Sequence, residues 1–195
     1  LSETRVAVAL GDVAGKGVPA ALLMARLYSA ARFHLLTESS LPKAFEGLND
    51  EIASSALGHR FITYIVAVLD GQNNEITITN AGHLPALVKS ADGKVRLIGQ
   101  HDGGMPLGIA PGQQFNETKV SLAVGDTLLL YTDGVTEAMN SKNELYGSDG
   151  LEKCLSTAPD DVEKVINGVV SDVEQFSGGR AQRDDICMVV MKRNE

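Results

Sequence analysis

The order of periodic segments along the 195 residues constrains the fold more than any single motif. Runs with helical periodicity stand near both ends, and the middle consists of β-type runs separated by turn residues. The predicted helices span residues 20–36, about 42–56, about 150–155 and 160–176. The predicted strands span residues 5–10, 61–70, 75–80, 86–90, 95–98, 115–122, 126–132 and 186–192. Strands and helices therefore do not alternate as they do in a parallel α/β sheet.

Turn residues between the strands predict hairpins and hence antiparallel sheets. Asp92-Gly93 lies between two short β-type runs, which is a strong hairpin pattern. Residues 115–122 and 126–132 are predicted to form another strand pair, joined near Gly125. Pro19 suits the first turn of the first helix, and Ser40 is the predicted N-cap of the second. Together these patterns predict one α+β domain of antiparallel sheets with helices packed on their outer faces.

Composition excludes several classes of protein. The formal net charge is -8 and no cluster of Lys or Arg is present, which argues against a nucleic-acid-binding protein. No apolar run approaches the roughly 18 residues of a membrane span, so membrane insertion is not expected. Without a signal peptide the cytoplasm is the expected compartment. Cys154 and Cys187 have no metal-type spacing, and each is predicted to be a small buried apolar residue.

Acidic residues occur at the ends of three predicted strands. Asp12 follows RVAVAL, Asp133 follows TLLLYT, and Asp184 and Asp185 precede ICMVVM. If these strands are neighbours in one sheet system, the carboxylates can converge on one edge. Mg²⁺ and Mn²⁺ are hard cations that prefer such oxygen ligands. The pattern therefore indicates a metal site.

Each acidic position also has a plainer interpretation. Asp12 could be a turn or capping residue ahead of a helix, and Asp133 could belong to an ordinary turn. Asp184 and Asp185 follow two arginines closely and could form a solvated, ion-paired loop. Glycines beside the ligands, at 11 and 134, would let the backbone approach the ions closely.

Other motifs are weaker. Lys16 between glycines suggests a phosphate loop, but Gly17 stands where a P-loop requires a hydroxyl residue. His83 is predicted to be a turn histidine with a structural hydrogen bond, and Glu137 either stabilises a helix start or lies behind metal ligands. No metal-like spacing relates the remaining histidines, which are His34, His59 and His101.

Four segments resemble the PPM family of metal-dependent serine/threonine phosphatases, in its bacterial SpoIIE/RsbU-like branch. They occur in the family's order and read GDVAGKGVPAALLM (11–24), NAGHLP (80–85), GDTLLLYTDGVTEA (125–138) and DDICMVV (184–190). The resemblance implies a β-sandwich of two mostly antiparallel sheets flanked by helical layers. It also implies a single domain, 1–195, truncated at its N-terminus, with the family's opening strand upstream of Leu1. Cys187 replaces the family's usual Thr.

The resemblance further implies a binuclear metal site with two Mn²⁺ or Mg²⁺ ions. Carried over by motif, Asp12 bridges both metals and the carbonyl of Val13 joins the first. Asp133 and Asp184 hold the second metal, and Asp185 is an alternative or outer neighbour. In that family, metal-activated water attacks phosphoserine or phosphothreonine directly, without a phosphoenzyme.

The resemblance also predicts partners. The expected substrate is a phosphorylated regulatory protein of the anti-anti-sigma STAS type in a stress-response signalling pathway. An upstream sensor or receiver domain is expected to regulate activity by positioning the helix at 18–36, and a homodimer is compatible with the branch. The alternative is a non-catalytic pseudophosphatase that binds a partner without turnover.

Overall fold

A computed structural model describes residues 2, 4–55, 60–100 and 103–194. The chain divides into two compact units. The first unit comprises Leu1–His83 and Gly99–Ser121, and the second comprises Leu84–Ile98 and Leu122–Glu195. In chain order the elements are β1 Arg5–Val13, α1 Val18–Thr37, α2 Leu41–Ala53, β2 Ile62–Asp70, β3 Glu75–Ala81, β4 Ala86–Lys89, β5 Val95–Ile98, β6 Thr118–Ser121, β7 Thr127–Tyr131, α3 Asp133–Thr136, α4 Gly147–Thr157, α5 Val162–Ser177 and β8 Met188–Lys192.

The first unit contains an antiparallel sheet in the order β1-β2-β3-β6. Its β-branched strand β2 is buried along most of its length, as suits an inner strand. Helices α1 and α2 contribute apolar side chains to the same core, and Phe45, Leu23 and Ile62 are essentially inaccessible to solvent. Ser40 caps α2 by accepting a hydrogen bond from the Lys43 N–H, as predicted.

The second unit contains an antiparallel sheet in the order β5-β4-β7-β8. Every residue of β7 is buried because the strand lies between two neighbours. Helix α5 places Val165, Val169 and Val173 at four-residue intervals, so they form one buried stripe in the core of this unit. The helix begins at its Asp161 N-cap and ends at Gly178, whose left-handed backbone stops it.

The α+β class and the two antiparallel sheets are confirmed, but one predicted strand pair is wrong. Residues 115–122 and 126–132 do not form a hairpin, because β6 pairs with β3 and β7 pairs with β4 and β8. Strand β6 alternates between partly buried and exposed residues, as an edge strand does. Strand β7 is buried along its whole length and lies between β4 and β8, as suits an inner strand.

Three smaller expectations can also be compared with the structure. Cys154 is partly buried, but Cys187 is exposed, so its predicted burial is wrong because the segment before β8 lies at the surface. The predicted end of the second helix, at Ala56, lies outside the described residues, as do His59 and His101. Within the described residues, no helix has the length and apolar character needed to cross a membrane.

We expect Asn49→Ala to lower the free energy of unfolding by roughly 2–4 kcal/mol, since it leaves buried polar groups unpaired. The Asn49 side chain is 0% exposed, donates to the Ala110 carbonyl at 2.9 Å and accepts from the Gly108 N–H at 3.0 Å. Urea unfolding measures the change. Asn116→Ala is the control: Asn116 is exposed, and its replacement should change stability by less than about 0.5 kcal/mol. Equal effects would contradict the assigned role of Asn49.

Burial raises the pKa of Tyr64 to about 12. In the unfolded chain this phenol ionises near its ordinary pKa of about 10, so the folded state binds more protons between these values. The free energy of unfolding should therefore fall as pH rises from about 10 to about 12, and Tyr64→Phe should make that fall smaller. Urea unfolding on both sides of about pH 10 tests this. An unchanged alkaline slope in the variant would contradict it.

Candidate metal centre

In the second unit, the ends of two neighbouring strands bring three of the predicted ligands to one edge. Strand β7 ends at Tyr131, which pairs with Met188 at the start of β8. Asp133 lies two residues beyond the end of β7, where α3 begins, and Asp184 and Asp185 lie just before β8. The predicted convergence of carboxylates on one sheet edge is therefore supported for Asp133 and the Asp184-Asp185 pair.

Thr132 joins these two segments, a role that was not predicted from the sequence. Its N–H donates to the Cys187 carbonyl at 3.0 Å. Its hydroxyl donates to the Asp185 carbonyl at 2.9 Å and accepts from the Cys187 N–H at 3.0 Å. The residue is 6% exposed, so this connection is shielded from water. The sequence pattern that could have indicated this role is a hydroxyl residue directly before an Asp-Gly pair at the end of a strand.

Gly134 is required by the close approach of the segment before β8. A Cβ atom at this position would lie 2.4 Å from the Asp185 carbonyl oxygen and 3.1 Å from that of Asp184. A side chain at position 134 would therefore overlap the Asp185 backbone. Because glycine has none, the backbone of Asp184 and Asp185 can pass close to Gly134, and Asp133 lies on the segment adjacent to this pair.

The acidic groups at this edge have no cationic partner. Among the ion pairs of the described residues, none involves Asp133, Asp184 or Asp185. The alternative interpretation of this segment as a solvated, ion-paired loop is confirmed for its solvent exposure, since Asp184 and Asp185 are both exposed, but wrong for the ion pairs. Nearby Arg180 donates instead to the Asn140 carbonyl at 2.6 Å. Neighbouring carboxylates without a counter-charge repel each other, and a bound cation removes that repulsion.

The first unit holds the other two predicted ligands, Asp12 and Val13. Both lie in the last part of β1, which extends three residues further than predicted. Asp12 is partly buried and stands opposite Thr63 in the β1–β2 register, so the two side chains share a face of the sheet. The Val13 side chain is apolar and is buried in the core of this unit. Its predicted ligand group is therefore the backbone carbonyl.

The backbone of β1 at Gly11 is fixed by packing. A Cβ atom at Gly11 would lie 2.9 Å from the Tyr64 ring and 3.2 Å from a methyl group of Leu27. The ring of Tyr64 therefore lies against the β1 backbone one residue before Asp12. Helix α1 begins at Val18, directly after Gly17, and its first turn includes Pro19 as predicted.

His83 has the predicted structural role. Its N–H donates to the Asn80 side-chain oxygen at 2.8 Å, and the Asn80 amide donates back to the His83 carbonyl at 2.9 Å. Its Nδ1 lies 2.8 Å from the Thr63 hydroxyl. Glu137 does not stabilise a helix start, because it lies at the C-terminal end of α3, where its N–H donates to the Asp133 carbonyl.

The donor set of the candidate centre suits a hard divalent cation. All of its assigned donors are carboxylate or carbonyl oxygens, which Mg²⁺ and Mn²⁺ prefer. Among the described residues, no group of three or more His, Cys, Asp or Glu side chains is placed so that it could hold a metal ion. The metal-ligand roles of Asp12, Val13, Asp133, Asp184 and Asp185 therefore stay predictions.

Residues 2–194 match the Stage II sporulation protein E (SpoIIE) family. The chain belongs to the SpoIIE family. This confirms the resemblance inferred from the four motifs, since the match covers nearly the whole chain.

Relatives and solved structures agree with this assignment. Phosphoserine phosphatase RsbU of Bacillus subtilis is 26% identical over 191 residues, which cover 95% of this chain and 55% of RsbU. The SiaA-PP2C domain of Pseudomonas aeruginosa superposes with a TM-score of 0.85 at 18% identity, covering 98% of this chain and 77% of that domain. The catalytic domain of the serine threonine protein phosphatase PstP in complex with 2 manganese ions has a TM-score of 0.68 at 16% identity, covering 94% of this chain and 85% of that one. The chain spans between 34% and 55% of the curated relatives that it matches.

We expect Gly134→Ala to weaken Mn²⁺ binding and to lower the free energy of unfolding by about 1–3 kcal/mol, because its methyl group would overlap the Asp185 backbone. Titration calorimetry and urea unfolding measure the two effects. Gly168→Ala in α5 is the matched control, since a Cβ there meets no atom within 4 Å. It should stabilise the helix by up to about 1 kcal/mol and leave Mn²⁺ binding unchanged. Wild-type Mn²⁺ affinity in Gly134→Ala would exclude this sheet edge as a metal site.

Proposed function

We propose that this chain is the phosphatase part of a signalling protein and hydrolyses phosphoserine or phosphothreonine on a regulatory protein. The observation that carries the proposal is the edge formed by β7 and β8, where carboxylates without cationic partners converge in a chain of the SpoIIE family. The name of the relative RsbU, a phosphoserine phosphatase, supports the reaction. The structural similarity to PstP, which is described with 2 manganese ions, supports the use of divalent metal.

The residues proposed to hold Mn²⁺ or Mg²⁺, expected as two ions, are Asp12, the Val13 carbonyl, Asp133 and Asp184. Each would contribute an oxygen ligand of the kind that these cations prefer. When bound, such ions activate water for in-line attack on phosphorus and stabilise the charge that develops on the phosphoryl oxygens. The chain itself contributes the fixed placement of these oxygens.

Asp184 is the preferred ligand of the Asp-Asp pair because its carboxylate is already oriented. Its Oδ1 accepts a hydrogen bond from the Asp185 N–H at 2.9 Å. The Asp185 carbonyl in turn accepts from the Thr132 hydroxyl. Thr132 therefore acts as a positioning residue: it holds the backbone that carries both carboxylates, and Asp185 supports Asp184 from behind.

We further propose a phosphorylated STAS-like protein as the substrate and an upstream sensor or receiver domain as the regulator, in a cytoplasmic stress-response pathway. Only four residues separate Val13 from the start of helix α1 at Val18, so a shift of α1 would be transmitted to both proposed ligands in β1. Substitutions on α1 that touch neither metal nor substrate should then change activation by the regulator. A homodimer is part of the same proposal.

We expect Asp185→Asn to reduce Mn²⁺-dependent phosphate release by roughly 10- to 100-fold, as is typical when a residue that supports a metal ligand is replaced. Asp133→Asn and Asp184→Asn, which remove proposed metal ligands, should each cause a larger reduction. Phosphate release from a phosphoserine protein is the measurement, with Mn²⁺ affinity measured in parallel. Asp149→Asn, at an exposed position in α4, is the control and should behave as wild type. Removal of Mn²⁺ by a chelator should abolish the reaction, and returning the metal should restore it.

Two results would contradict this assignment. If Asp185→Asn is more damaging than Asp184→Asn, the roles of the two carboxylates are reversed. If the wild-type chain binds the phosphoprotein but releases no phosphate at any Mn²⁺ concentration, the chain is a non-catalytic binding module.

A further inference from the structure

A cavity of about 470 Å³ lies within the second unit, beside the candidate metal centre. It is bounded by the residues after α3, the C-terminal end of α5 and the segment that leads to β8. Pockets of this size accept one or a few side chains and are too small for a folded domain. The proposed reaction, which needs only the phosphoryl group, does not use this cavity.

The floor of the cavity is apolar. It is formed by Ala138, Met139, Val173 and Ile186, of which Val173 is buried and the others are partly buried. An aliphatic side chain that enters from water would bury its surface against these residues and so gain binding free energy. The floor therefore favours an apolar side chain over a polar one.

Charged residues surround the opening. Glu137, Glu174, Arg180 and Arg183 all contribute to the wall and are exposed. Arg180 is already engaged by the Asn140 carbonyl. Arg183 takes part in no ion pair among the described residues, so its guanidinium is available to an anionic group of a ligand. Guanidinium groups bind phosphate oxygens well because they donate two parallel hydrogen bonds.

The cavity is continuous with the candidate metal centre. Gly134 and Asp184 line the cavity, and both belong to the edge at which the carboxylates converge. Since Asp184 directly follows Arg183, a phosphoryl group held at the metal ligands would place the neighbouring residues of its polypeptide at the opening of the cavity. The cavity is therefore placed to receive a side chain that neighbours the phosphorylated residue of the substrate.

We propose that the cavity is a specificity pocket for the substrate protein, and that it takes a large aliphatic side chain next to the phosphorylated serine while Arg183 contacts the phosphoryl oxygens. The proposal rests on the proposed phosphatase function and deepens it by naming the sequence that is preferred around the phosphoserine. A phosphoserine flanked by glycine leaves the apolar floor uncovered.

Two fluorescent phosphopeptides test the proposal, one with Leu on both sides of the phosphoserine and one with Gly on both sides. Each peptide carries a non-hydrolysable phosphonate in place of the phosphate, so that turnover does not interfere, and its binding to the unsubstituted chain is measured by anisotropy in the presence of Mn²⁺. We expect the Leu peptide to bind at least about tenfold more tightly, which is typical of one apolar side chain in a fitted pocket.

Ser177→Trp and Gln175→Trp are the matched pair of variants. Ser177 lines the cavity in the last turn of α5, whereas Gln175 lies on the same helix, is exposed and does not line it. Filling the cavity with an indole at 177 should reduce the affinity for the Leu peptide to that for the Gly peptide. The same substitution at 175 should preserve the tenfold preference.

Arg183→Gln provides a second test that does not depend on filling the cavity. It should lower the affinity for both phosphopeptides by a similar factor and leave the ratio between them unchanged. Equal affinity of the two peptides for the unsubstituted chain, or a preference that survives Ser177→Trp in a folded protein, would overturn the pocket assignment. Release of phosphate by the wild-type chain with Mn²⁺ is scored separately, so failure of the phosphatase function is distinguishable from failure of the pocket.

Discussion

The candidate centre in the second unit depends on the pairing of β7 with β8. The register that sets Tyr131 opposite Met188 brings the residues after one strand beside those before the other. Thr132 extends this pairing beyond the regular ladder through its backbone and its hydroxyl. Gly134 then permits an approach that no side chain would allow. These contacts place Asp133 and Asp184 on adjacent segments at one edge of the sheet.

This arrangement has an electrostatic consequence. Acidic side chains on adjacent segments repel each other, and the described residues supply no ion pair to compensate Asp133, Asp184 or Asp185. A fold that keeps such groups together is well suited to a divalent cation, which converts repulsion into binding energy. Arg183 directly precedes Asp184 and forms no ion pair among the described residues, so the proposed metal ligands and the proposed contact to substrate oxygens lie in one region.

Local sequence predicted the elements better than their partners. The hairpin of β4 and β5 followed from Asp92-Gly93, because turn residues in a short connection favour pairing of the strands on either side. The segments that became β6 and β7 also follow each other closely, yet they pair with strands that are distant in sequence. Phe115 shows why: it is buried against Phe45 in the core of the first unit, whereas β7 is buried in the second. Long-range packing decided between these possibilities.

The sequence by itself determined the types of the elements, the motifs of the family and the oxygen-rich residues that suit a metal, because each depends on local periodicity or residue chemistry. It did not reveal Thr132 as a positioning residue, the exposure of Cys187 or the cavity beside Asp184. These features arise where segments that are distant along the chain meet. Only the tertiary structure decided them, since hydrogen bonds, burial and cavities depend on which surfaces pack together.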